Sequence, residues 1–248
     1  MTDHTSSDWL TLPTPDGPMR VYAARPADRP DRAVVVLQEA FGVNDHVQDI
    51  ARRYADRGFL ALAPDLFHRN GVGTLDYRQH AEAMPLIGAI GADAIVTDVG
   101  AVLAHLSTTE GIPAGRTAVN GFCFGGRAAF TAATAISGLA ATIVFYGPGI
   151  AAGPHAVLDR VQSIDAPILL HVGAEDAAIP ADQVTAIDSA LTDAGTTFES
   201  YVYEHAGHAF ACDARPHMYH AEPARLAWQR THAFLERHLP ASENEVTR

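Results

Sequence analysis

Residues 120–126 read Asn-Gly-Phe-Cys-Phe-Gly-Gly, a combination of types and spacing that can do chemistry. Gly121 and Gly125 each stand two places from Cys123, giving the pattern G-x-S-x-G with sulfur in place of oxygen. The segment before it has strand character and "FGGRAAFTAATA" after it has helical character, so Cys123 falls at a strand-to-helix turn. Such a turn lifts its central side chain above the sheet edge, and close packing there favours residues without bulk. The thiol also sits at a helix N-terminus, where free N–H groups and the macrodipole stabilise negative charge. The competing reading is a glycine-rich turn with a small inert cysteine at its tip, a common fate for a free cysteine.

Partners decide between the two. A nucleophile on such an elbow is followed along the chain by an acid and then a base. In open α/β sheets the reacting groups lie beyond the C-terminal ends of strands. The strand-like run "PILLHVG" leads into "AEDAAIP", offering Glu175 and Asp176. The run "FESYVYE" leads into "HAGHAFA", offering His205 and His208. Cys123, Asp176 and His208 satisfy both rules, while Glu175 stays open as a rival acid and His205 as a rival base. In the roles this assigns, His208 takes the thiol proton, or holds a thiolate–imidazolium pair, and later protonates the leaving group. Asp176 fixes the imidazole tautomer and supports its charge. Water activated by His208 then releases an acyl-enzyme.

The elements that must position these groups alternate along the chain. Apolar, β-branched runs at 33–37, 59–63, 117–121, 141–146, 167–172 and 198–203 predict strands, several of them buried on both faces as in a parallel sheet. Between the first two, Val47, Ile50, Ala51, Tyr54 and Ala55 follow helical spacing, with Asn44 or Asp45 to cap the start and Gly58 to suit the end. A last helix carries Ala224, Ala227, Trp228, Thr231, Phe234 and Leu235 on one face. Residues 13–25, with their Pro-Asp-Gly turn, predict an antiparallel hairpin at the sheet edge. The pattern predicts one α/β domain over residues 1–248, a doubly wound, mainly parallel sheet with helices on both faces and a polar tail from about 241.

Composition narrows the function. Of 248 residues, 48% are hydrophobic and 19% charged, which suits a sizeable core. A formal net charge of −12 argues against nucleic acid, and no basic amphipathic stretch suggests a membrane surface. Residues 87–106, interrupted by Asp93 and Asp98, predict a packed helix and not a membrane span. The N-terminal residues lack the basic start and apolar run of a secretory signal. Two cysteines are too few for a disulfide scaffold, so a reducing cytoplasm is the expectation, with a monomer as the default state.

Taken together, "VLQEAFGVN", "APDLF", "GFCFGG", "HVGAED" and "AGHAFA" resemble the dienelactone hydrolase family, in order and across most of the chain. The resemblance implies an α/β-hydrolase fold, a Cys–His–Asp triad formed by Cys123, His208 and Asp176, and no metal or organic cofactor. It implies a small lactone or ester as substrate, carboxymethylenebutenolide being the family's best-known one. It also gives Glu39 a role, contacting the resting Cys123 thiol and moving when substrate arrives. For the oxyanion hole, the backbone N–H of Phe124 is expected to act with that of Ala40, from the loop after the first long strand. Tyr146, at the end of "ATIVFY", is expected either to line the pocket or to pack as an aromatic at a strand end.

The sequence departs from the family in one place. The resemblance implies an arginine four residues after the catalytic histidine, and Cys212 stands there. A thiol offers no charged fork to a substrate carboxylate. Arg215 is the replacement expected from position, and Arg69 and Arg78 lie in a segment that could supply a second cation. Cys212 could also pair with Cys123 in a reversible disulfide, provided their Cα atoms come within roughly 7 Å. His217 and His220, like His205 and His208, are three apart, but no further ligand completes a zinc pattern around them. Two other readings remain: a broad carboxylesterase or thioesterase, and a non-catalytic ligand binder or thiol redox sensor.

Overall fold

Predominantly apolar runs rich in valine, alanine, isoleucine and leucine can pair on both edges and bury both faces, and five such runs form the centre of the molecule. The computed structural model describes residues 5–242. It contains β3 (Ala33–Leu37), β4 (Leu60–Pro64), β5 (Thr117–Phe122), β6 (Ala141–Phe145) and β7 (Ile168–Gly173), every residue of which is buried. With β1 (Ser6–Thr14), β2 (Gly17–Arg25) and β8 (Phe198–Tyr203) they make one sheet in the order β1-β2-β4-β3-β5-β6-β7-β8. Strands β3 to β8 run parallel, and the β1–β2 hairpin adds to the β4 edge antiparallel.

Alternation along β3 divides the core. Val34 and Val36 face α1 (Asp45–Ala55) and α6 (Ala221–His238). Val35 and Leu37 face α3 (Ala92–His105), α4 (Phe124–Ala133) and α5 (Ala181–Asp193). Helix α1 starts where the Asn44 side chain accepts the Val47 N–H at 3.1 Å, and it buries Val47, Ile50, Ala51 and Tyr54. Each of its large apolar side chains contributes about 1.5–3 kcal/mol by leaving water. In the middle of β7, His171 is a satisfied core histidine between Tyr203 Oη at 2.8 Å and Thr231 Oγ1 at 3.0 Å. Burial lowers its pKa to about 3, so it packs as a neutral ring tying β7 to β8 and α6.

Two expectations are corrected. The hairpin begins at Ser6, not residue 13, because β1 is an edge strand whose exposed polar residues hide it from an apolar-run search. Residues 87–106 are not one helix. The chain breaks after α2 (His80–Gly88) and turns by 89° into α3, and no single described helix is long and apolar enough to cross a membrane. Gly88 and Gly91 on either side of the break explain it, since glycine holds helix poorly. Most of the polar tail, residues 243–248, lies outside the described residues.

Candidate active site

The elbow is built by three close approaches of backbone. Cys123 has φ 54° and ψ −119°, a left-handed-side conformation that costs a non-glycine residue about 1–3 kcal/mol. A Cβ at Gly121 would lie 1.8 Å from Gly125 O, and one at Gly125 would lie 2.2 Å from Leu37 O. Glycine at both positions is therefore a steric requirement for seating α4 on the end of β3. The Cys123 N–H donates to Phe145 O at 3.0 Å, and its carbonyl accepts from Gly126 and Arg127.

The acid and base come from neighbouring loops pressed together. A Cβ at Gly173 would lie 2.3 Å from Ala206 O, and the Glu175 N–H donates to that same carbonyl at 2.9 Å. This contact aligns the loop after β7 with the loop after β8. Asp176 is buried, with Oδ1 accepting the Ala178 N–H at 2.9 Å and Oδ2 lying 2.8 Å from His208 Nδ1. On the opposite side of the ring, His208 Nε2 lies 3.0 Å from Cys123 Sγ. The rival pair sits elsewhere: His205 and Glu175 face each other at 3.6 Å with side chains 91% and 66% exposed.

Burial opposes the His208 imidazolium, but the Cys123 and Asp176 side chains outweigh it and raise its pKa from 6.5 to about 10. The folded state then binds a proton that the unfolded state releases between those values. The resulting stabilisation is full below pH 6.5 and is lost as pH rises through about 10. Chemical denaturation of wild type and His208→Gln across this range should show their stability difference largest at the acid end and shrinking toward pH 10. A constant difference would contradict the linkage.

Neither the Ala40 nor the Phe124 backbone N–H has an acceptor among the described residues, although both residues are buried. Tyr146 has φ 38°, its ring lies 5.4 Å from that of His208, and its buried hydroxyl has no partner. Burial and then Glu39, Cys212 and Cys123 push its pKa well up, so it stays a neutral donor. Arg215 stacks over Tyr77, guanidinium carbon to ring centroid 5.0 Å, and over Phe41 at 5.5 Å. Arg69 is held by buried Asp98 at 2.6 Å and by Asp16, while Arg78 is 90% exposed and pairs with Asp76.

The contact expected between Glu39 and Cys123 is not formed. Glu39 Oε2 accepts from Cys212 Sγ at 3.7 Å, because the thiol at position 212 is the donor that reaches the buried carboxylate, while Cys123 Sγ is engaged by His208. Burial and then Glu39 push the Cys212 thiol up to about 12. Both cysteines are free thiols.

Parallel strands that each end in one of these reactive side chains, with the cysteine on a strained turn before a helix, are the arrangement of the α/β-hydrolase fold. Comparison with known proteins narrows the class. The model of the dienelactone hydrolase family matches residues 19–239. A Yersinia pestis protein named "putative carboxymethylenebutenolidase" is 35% identical over 235 residues, spanning 92% of this chain and 87% of that relative. One of the same name from Escherichia coli K12 is 35% identical over 237 residues, spanning 92% and 86%. A crystal structure described as a "putative dienelactone hydrolase" from Klebsiella pneumoniae superposes with a TM-score of 0.84 at 34% identity, over 94% of this chain and 99% of that one. The chain belongs to the dienelactone hydrolase family, hydrolases acting on carboxylic ester bonds.

Proposed function

We propose that the protein hydrolyses a small lactone or ester through an acyl-cysteine intermediate, with Cys123 as nucleophile, His208 as base and Asp176 as the acid that orients it. The observation that carries this reading is His208, with Cys123 Sγ 3.0 Å from one ring nitrogen and Asp176 Oδ2 2.8 Å from the other. Cys123 Sγ, paired as a thiolate with the His208 imidazolium that holds its proton, attacks the carbonyl carbon. The developing oxyanion takes hydrogen bonds from the Ala40 and Phe124 N–H groups, donors already desolvated and unpaired. The C–O bond breaks and His208 protonates the departing oxygen, which in a lactone stays tethered to the acyl group. Water then gives its proton to His208 and attacks the thioester carbon. The acid leaves and Cys123 is regenerated.

Tyr146, whose buried hydroxyl has no partner, would donate a hydrogen bond to the bound substrate, and Arg215, whose backbone N–H donates to Cys212 O at 3.0 Å, would supply the cation for an anionic one. Two unpaired thiols suit a cytoplasmic setting. Acid-quenched mixtures with p-nitrophenyl acetate, followed by peptide mass analysis, should show acetyl on the peptide containing Cys123 within the first turnover, removable by hydroxylamine. Turnover with no acyl group on that peptide at any quench time would overturn the covalent route.

A further inference from the structure

We propose that Glu39, His46 and Cys212 form a binding site for a divalent transition metal of the zinc class, separate from the triad. All three side chains are buried, and one ligand atom from each lies within 4.8 Å of the other two. Two of these donors are left over: Glu39 Oε1 and His46 Nε2 are buried and have no hydrogen-bond partner. Two buried polar atoms without partners, on side chains whose ligand atoms come this close, are unfavourable unless something satisfies them, and a cation can satisfy both.

His46 is also oriented as a ligand would be. Its Nδ1 lies 3.1 Å from Asp213 Oδ1, and Asp213 Oδ2 is held by Arg53 at 2.5 Å. A hydrogen on Nδ1 directed at that carboxylate leaves the lone pair on Nε2, the nitrogen without a partner, as the ligand atom. Carboxylate support of the far nitrogen is the usual outer shell of a metal-bound histidine. The spacing suits a small ion as well. Zinc–sulfur and zinc–oxygen bonds at tetrahedral angles put the two ligand atoms about 3.6 Å apart, and Cys212 Sγ and Glu39 Oε2 are 3.7 Å apart.

Thiolate, imidazole and carboxylate together favour zinc-class ions over magnesium or calcium. Binding requires the Cys212 thiol to give up its proton, because the thiolate is the ligand. Three protein ligands leave a fourth position for Tyr77 Oη, 3.6 Å from Cys212 Sγ, or for water. A cleft of about 490 Å³ lined by Asn44, His46, Thr74, Tyr77 and Ala214 gives the ion a route in. The ion would join the loop of Ala40 to the loop of His208.

Cobalt(II) titration of the reduced, chelator-treated full chain tests the site without any assay of turnover. One equivalent is expected to produce a thiolate-to-cobalt charge-transfer band and the visible bands of a tetrahedral ion, both abolished stoichiometrically by zinc. The spectrum should persist in Cys123→Ser and vanish in Cys212→Ser. Asp213→Asn should weaken binding about 10- to 100-fold, and His46→Gln at least as much, with circular dichroism unchanged. Should Cys212→Ser fail to fold, His46→Gln decides. No charge-transfer band in the folded wild type, a band that follows Cys123, or unchanged affinity in His46→Gln would each overturn the proposal.

Discussion

Replacing Cys123 with alanine is expected to lower kcat/KM for p-nitrophenyl acetate and for lactone opening by about 10⁴-fold, with the thermal midpoint nearly unchanged. Alanine fits the elbow as well as cysteine, since the strained φ of 54° is imposed by the Gly121 and Gly125 contacts and not by the side chain. What disappears is the sulfur 3.0 Å from His208, and with it both acylation and the thioester that water attacks. The N–H groups of Ala40 and Phe124 survive, so a small residual rate over water is expected. Steady-state kinetics alongside a thermal melt reads both effects. An alanine variant that keeps wild-type kcat/KM would remove the thiol from the chemistry, and only the absence of turnover above background in both proteins would leave the non-catalytic reading standing.

Asp176→Asn should be nearly as severe, with kcat down about 10³- to 10⁴-fold. Asparagine can still accept the Ala178 N–H, so the turn after β7 keeps its anchor. It carries no charge to meet the imidazolium, and its amide favours the tautomer that leaves Nε2 protonated toward Cys123. Folding and substrate binding should hold while kcat falls. Glu175→Gln is the internal control. Its carboxylate is two-thirds exposed and faces His205 in solvent, so kcat within about twofold of wild type is expected for a surface pair of this kind. The reverse pattern, with Glu175→Gln disabled and Asp176→Asn active, would exchange the acid.

Much of this geometry was legible in the sequence because it is local. Each reactive residue sits within a few positions of a strand whose apolar run announces it, and β3 and β8 begin and end where the runs do. The glycines two places either side of Cys123 name the elbow, and the structure supplies the reason, backbone atoms that leave no room for a methyl group. Strand β1 was only partly legible, since an edge strand facing water has little apolar signal. The break between α2 and α3 was missed because alanine and isoleucine continue helical composition straight across it. The Glu39–Cys212 contact was not legible at all. It joins residues 173 positions apart, and neither His46 nor Asp213 belongs to a motif that would single it out.

The packing of Gly125 against the end of β3 has a bearing on motion. The carbonyls of Leu37 and Gln38 touch the start of α4, so the free N–H groups of Ala40 and Phe124 ride on segments that are in direct backbone contact. His208 arrives on a different segment, the loop after β8, followed at once by Ala209 with φ 60°. The two halves of the site are therefore carried by separate backbone segments. Displacing the loop after β8 alone would leave the donors and the thiol registered to each other, because Gly125 ties them through the end of β3.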